Sequence, residues 1–309
     1  MMTKTILSVN NVSKKFGKYK AIDNVSFKLQ KGDIYGLIGS NGAGKTTIMR
    51  LITQLSPLKV GTIELFEQKI DQQALKHVGA IIETPASFNK LTVKQNVTLA
   101  AIQRGINDKQ RIIQIIDFVG LDKKINTKAE HLSLGQKQRL GLAIAILPEP
   151  DLLILDEPIN GLDPSGIIEF RKLLLKLNQE KQITILISSH ILTELYQVST
   201  RFGFIYNGQL IKEITKQDLD NVNQSGLLLT VDNVSKAAQI IDEKYQNKFT
   251  IVDDNNILIH SFNINSSELN KQLIMEGVSV ISITKQEKSL EDYYTNLIGG
   301  VNDAKSIKN

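Results

Sequence analysis

Eight consecutive residues, Gly39-Ser40-Asn41-Gly42-Ala43-Gly44-Lys45-Thr46, carry the first chemistry legible in this chain. They fit the pattern G-x-x-x-x-G-K-[ST]. Glycines let the backbone turn tightly, so successive N–H groups point inward at phosphate oxygens. A helix that opens near Lys45 adds the positive end of its dipole. Lys45 can reach the β- and γ-phosphates, and the Thr46 hydroxyl can ligate Mg²⁺. Thr47, the next residue, joins the nucleotide-contacting set. A second constellation lies downstream. Leu152-Leu153-Ile154-Leu155-Asp156-Glu157 is an apolar run that ends in two acids. Asp156 sits where a second Mg²⁺ contact is needed. Glu157, one residue on, points differently and can polarise an attacking water.

The elements that must position these residues follow from hydrophobic patterning. Ile6–Val9, Val25–Leu29 and Asp33–Ile38 read as strands, the last running into the glycines, with a helix over Thr47–Leu55. Asn89–Asp122 is helical in character, with a break near Gly105–Asp108, and Gly135–Leu147 continues it. Leu152–Leu155 and Ile183–Ser188 read as buried strands on either side of a helix over Ile167–Lys181. This alternation predicts an α/β domain with a central parallel sheet, over residues 1–217. The pattern then changes. Strands over Leu227–Val231, Phe249–Val252, Ile257–His260 and Val280–Ile283 alternate with helices over Lys236–Tyr245 and Ser267–Glu276. That βαββαβ order predicts a small ferredoxin-like α+β domain over 222–300. Asp218–Ser225 reads as a polar linker, and 301–309 as a disordered tail.

Bulk properties narrow the function. The chain has 309 residues, 41% hydrophobic, with a formal net charge of +5 and both signs spread along it. No basic block interleaves with aromatics, so nucleic acid is not an expected partner. Cysteine is absent, which excludes disulfides, thiol nucleophiles and thiolate metal sites. No apolar run approaches the ~20 residues of a membrane-spanning helix, and Met1–Asn10 carries none of secretory length. The expectation is a soluble protein that needs a partner to hold it at any membrane.

Leu132-Ser133-Leu134-Gly135-Gln136, shortly before the acid-tipped strand, resembles the signature of ABC ATPases. Glu157-Pro158-Ile159-Asn160-Gly161-Leu162-Asp163-Pro164 is similar to the family's D-loop. Ile187-Ser188-Ser189-His190 is similar to its switch histidine, and Lys15-Phe16-Gly17 to its adenine-stacking loop, with Tyr19 the alternate aromatic. The resemblance covers about residues 5–215. It implies an ATP-hydrolysing subunit at the cytoplasmic face of a bacterial membrane, with a separate permease. It also implies a helical subdomain over about 84–145 and a head-to-tail dimer of ATPase subunits. In that dimer Ser133, Gly135, Gln136 and Asp163 serve the partner's nucleotide. His190 would hold the γ-phosphate or the water.

Two residues depart from the family pattern. Glu83 stands where glutamine is usual, and implies a role in catalysis and Mg²⁺ contact; Leu134 stands where glycine is usual. Both resemble the branch that exports or resists peptide antibiotics. The ending Ser289–Gly300 resembles that of drug-export ATPases, and His260 reads as structural. Rival readings are a soluble ABC ATPase acting on ribosomes or nucleic acid, a metabolic P-loop kinase, and a regulatory ATP sensor. The first would need a second ATPase domain or a long coiled-coil insertion. The second would leave Ser133–Gln136 without a purpose.

Overall fold

A computed structural model of the chain describes residues 4–222, 226–245, 248–260, 265–286, 290 and 293–299. The chain divides into two compact units, 1–216 and 217–309.

The first unit holds two sheets. A six-stranded sheet has the order Gln209–Thr215, Arg201–Tyr206, Ile34–Ile38, Thr184–Ser189, Leu152–Leu155, Val78–Ile81. Its inner pairings are parallel, and only the edge hairpin 201–215 is antiparallel. Ile34–Ile38, Leu152–Leu155 and Thr184–Ser189 are buried at every position. That is the pattern of strands covered on both faces. A second, antiparallel sheet has the order Tyr19–Gln30, Thr5–Phe16, Val60–Leu65, Gln68–Lys69. Its inward residues share one core with the P-loop helix Lys45–Ile52 and the parallel strands.

Helices Val93–Gln103, Lys109–Phe118 and Leu134–Ile146 form the helical portion, interrupted at Arg104–Asp108. Thr92 and Ser133 each open a helix with a capping box, closed by Gln95 and Gln136. Asp163 caps Pro164–Lys181, with proline in the first turn. One contact at the far end of the parallel sheet fixes a residue choice. Tyr35 is fully buried, stacks on Phe27 and donates its hydroxyl to Glu213 at 2.9 Å. Burial, then the Glu213 charge, pushes its phenol well above the usual range. A Cβ on Gly203 would lie 2.2 Å from that hydroxyl. Gly203→Ala should therefore destabilise the first unit by about 1–3 kcal/mol, read as a lower urea midpoint at unchanged slope.

The second unit is a four-stranded antiparallel sheet in the order Phe249–Ile251, Asn256–Ile259, Gly226–Val231, Val280–Gln286. Helices Val234–Tyr245 and Ser266–Met275 supply its core with Ala237, Ile241, Leu269 and Leu273. The strand order 2-3-1-4 is the split βαβ arrangement. Two sequence expectations need correction. The polar linker over 218–225 is in part a helix, Lys216–Val222, which buries Leu219 completely. Hairpin Arg201–Thr215 extends the main sheet where the sequence suggested no element. The tail 301–309 lies outside the described residues, as do Ser289, Glu291, Asp292 and Gly300 of the family-like ending.

Candidate functional site

The P-loop leaves the carboxyl end of Ile34–Ile38, between its parallel neighbours 184–189 and 201–206. Ligand crevices of open α/β sheets form at that end. Gly44 caps the helix with φ 113°, and a Cβ there would lie 2.7 Å from Ile22 Cδ1 and 2.8 Å from the Ala21 carbonyl. Glycine is thus required twice, by conformation and by space. An open cavity of about 250 Å³ lies above the loop. Asn41, Gly42, Gly44, Lys45, Thr46, Thr47, Glu157, Phe16 and Tyr19 line it.

The two aromatics owe their place to a hairpin. Gly17, at φ 57°, turns the chain so that Phe16 pairs directly with Tyr19. Opposed residues of an antiparallel pair share a face. Both rings are exposed, at 53% and 59%. Lys14 stands 5.3 Å over the Phe16 ring, and the Tyr19 hydroxyl lies 3.3 Å from the Gly42 carbonyl. Base–aromatic stacking contributes ~1–3 kcal/mol. Alanine at the stacking residue should weaken nucleotide binding about tenfold, and alanine at the other much less. Titrations of Phe16→Ala and Tyr19→Ala with a fluorescent ATP analogue decide between them.

Lys45 is buried. Its ammonium donates to the Gly39 carbonyl at 2.6 Å and the Ser40 carbonyl at 3.1 Å, and lies 3.1 Å from Glu157 Oε1. Glu157 Oε2 is 2.9 Å from His190 Nδ1. One carboxylate is thus gripped by a lysine and a histidine from two different elements. Glu157 also has φ 47°, a strained value for a non-glycine residue. Its N–H donates to the Ser188 hydroxyl at 3.0 Å.

Asp156 is buried beside it. One carboxylate oxygen accepts from the Ser188 hydroxyl at 2.7 Å, the other from the Thr46 hydroxyl at 2.7 Å. A hydroxyl and a carboxylate side by side are hard oxygen donors, suited to a cation that keeps most of its shell for water and phosphate. Among the described residues no group of three or more His, Asp or Glu is placed to cage a metal alone. The site therefore fits Mg²⁺ carried with a phosphate ligand and not a resident all-protein metal.

Ser133, Gly135, Gln136 and Asp163 do not line this cavity. They gather elsewhere on the first unit. Ser133 Oγ accepts from the Gln136 N–H at 3.3 Å, and Gln136 Oε1 from the Ser133 N–H at 3.1 Å. Leu134 reaches across to the D-loop: its Cδ2 is 3.0 Å from where a Cβ of Gly161 would stand. Leu162 approaches Gly135 in return, at 3.7 Å by the same measure. The Ser165 hydroxyl and then the Gly166 N–H hold the Asp163 carboxyl below its usual range. Glu83 follows strand Val78–Ile81 and pairs with Arg50, Nη2 to Oε1 at 2.6 Å. Sequence reasoning missed Ser188 as the hinge between the two acids, and Arg50 as the partner of Glu83.

Such a cradle, with paired acids at the end of a strand two places along the same sheet and a helical portion between, defines a P-loop ATPase of the cassette type. The ABC transporter family profile matches residues 22–160. The chain is 38% identical to the bacitracin transport ATP-binding protein BcrA of Bacillus licheniformis, covering 96% of this chain and 98% of that protein. It is 38% identical to the lantibiotic transport ATP-binding protein SrtF of Streptococcus pyogenes, covering 71% and 95%. A nucleotide-free ATP-binding cassette from an ABC transporter superposes with TM-score 0.64 at 26% identity, covering 71% of this chain and 94% of that one. A second cassette, solved in its ADP conformation, gives 0.63 at 27% over 71% and 95%. The chain belongs to the ATP-binding proteins of ABC transporters, and it binds and hydrolyses ATP. Among the described residues no helix is long and apolar enough to cross a membrane.

Proposed function

We propose that this chain drives export of, or resistance to, a peptide antibiotic through a separate membrane permease, working as a dimer of ATPase subunits at the cytoplasmic face of the membrane. The observation that carries this reading is the reach of the similarity to the bacitracin protein. It spans nearly the whole of both chains and so includes the second unit as well as the cassette. A soluble ATPase acting on ribosomes or nucleic acid has no comparable support.

Lys45 leaves its carbonyl partners for the β- and γ-phosphates, and the loop N–H groups hold the rest of the charge. Thr46 and Asp156 would hold Mg²⁺, which when bound neutralises charge developing on the phosphates. Glu83 is the further acidic contact to that end of the site. Phe16 or Tyr19 stacks on adenine. Glu157, once Lys45 has turned to phosphate, orients or deprotonates the attacking water. His190 keeps the Glu157 carboxylate in place and can donate to the γ-phosphate. Ser133, Gly135 and Gln136, with Asp163, complete the site of the partner subunit, the Ser133 hydroxyl and the helix start forming its anion contact. Nucleotide thus joins the two subunits, and hydrolysis lets them part.

Deletion of the gene, complemented by wild type or by Glu157→Gln, tests the physiological reading. Increased susceptibility to bacitracin or to a lantibiotic, restored only by the wild type, is expected. Unchanged susceptibility to every peptide antibiotic tried would remove the cargo class and leave the ATPase intact.

A further inference from the structure

Arg50 and Glu83 do not line the nucleotide cavity, but Glu83 lies two residues beyond Ile81, whose carbonyl accepts from the Asp156 N–H at 2.9 Å. Arg50 lies in the last turn of helix Lys45–Ile52, four residues after Thr46. Residues so spaced share a helix face, one turn apart. Arg50 and Thr46 thus share one face of the helix, and from that face the Arg50 guanidinium binds Glu83 at 2.6 Å. Glu83 itself is strained. It is the central residue of a three-residue turn closed by the Thr84 N–H donating to the Ile82 carbonyl at 2.9 Å, with φ 63°. Turns of that kind with positive φ are rare away from glycine, and the strain persists only where the surroundings enforce it. Here both flanks are pinned. Ile82 packs on the core of the first unit. Two residues beyond Glu83, Pro85 covers Gly141 of helix Leu134–Ile146 so closely that a Cβ there would be 2.6 Å from Pro85 Cβ. The carboxylate is thus delivered to one place by its backbone. The pair is half exposed, at 42% and 55%, so it adds little to stability. What it does is set where a negative charge rests.

We propose that Arg50 is a positioning residue for Glu83. Its guanidinium holds and compensates the carboxylate beside the helix face that carries Thr46, the helix whose N-terminal end must accept a polyphosphate. Without Arg50, Glu83 brings uncompensated negative charge to that end and repels nucleotide. A neutral side chain at position 83 needs no such partner, so the effect of removing Arg50 depends on the charge at 83. The inference rests on the reading that this helix end binds nucleotide phosphate.

The test is a double-mutant cycle on the full chain: wild type, Arg50→Gln, Glu83→Gln and the double variant. Binding of a fluorescent ATP analogue is read first in EDTA and then in Mg²⁺, with Arg50→Lys as the conservative control. Arg50→Gln should weaken binding about three- to fivefold in the wild-type background, less at high salt. In the Glu83→Gln background the same change should matter less than about 1.5-fold, and lysine at 50 should retain most of the affinity. Equal losses in both backgrounds, or no loss in either, would overturn the proposal. Failure of the wild type to bind the analogue would instead overturn the nucleotide reading beneath it. Matching thermal midpoints of the four proteins guard against a folding effect.

Discussion

Glu157→Gln should lower the turnover number by at least ~10²–10⁴-fold, the range that a positioned general base contributes. ATP binding should survive. The phosphates are held by Lys45 and the loop N–H groups, none of which the change touches. Binding should even tighten. Lys45 lies 3.1 Å from Glu157 Oε1, and a neutral amide frees the ammonium for phosphate. Stability should change little, because the glutamate backbone N–H keeps its bond to Ser188. Single-turnover hydrolysis and equilibrium binding, measured side by side, separate the two effects. Turnover at the wild-type rate would place the base elsewhere and leave the grip of His190 on Glu157 without a catalytic purpose.

Asp156→Asn should fail differently. Its carboxylate accepts from two hydroxyls, Ser188 and Thr46, each at 2.7 Å, in a buried site. An asparagine places an NH₂ against one of them, and a buried group left unpaired costs ~1–3 kcal/mol. The unfolding midpoint should therefore fall without any nucleotide present. Turnover should drop roughly 10³-fold, since charge stabilisation by a bound cation contributes several kcal/mol. Nucleotide affinity should lose its dependence on Mg²⁺. The pairing of lower stability with lost Mg²⁺ dependence distinguishes this acid from its neighbour. If both variants behaved alike in stability and in Mg²⁺ titration, the division of labour between the acids would be wrong.

How far these sites could be read from sequence depended on how local their chemistry is. The cradle Gly39–Thr46 works through its own backbone, so eight adjacent residues declare it. Asp156 and Glu157 declare themselves by ending an apolar strand. Ser188 does not. It bonds Asp156 only because strand Thr184–Ser189 lies beside Leu152–Leu155 in register, Leu155 against Ile187. That neighbour relation belongs to sheet order, which spacing along the chain does not encode. Arg50 and Glu83 are likewise joined only by the fold. Glu83 could be singled out as a departure from a family pattern, but nothing along the chain pointed to its cation. The helix Lys216–Val222 was hidden by its composition, since one buried leucine among polar residues shows no periodicity. By contrast, the second unit was legible in its four strands and the two helices between them. Its alternating strands and amphipathic helices each carry their own pattern, and the βαββαβ order admits few topologies.

Isolation of the protein from its native membrane in mild detergent, with ATP trapped in the Glu157→Gln variant and without it, tests the central claim most directly. A polytopic membrane permease should come with it. Recovery with ribosomes or nucleic acid, and with no membrane protein, would contradict the transporter reading while leaving the ATPase chemistry in place.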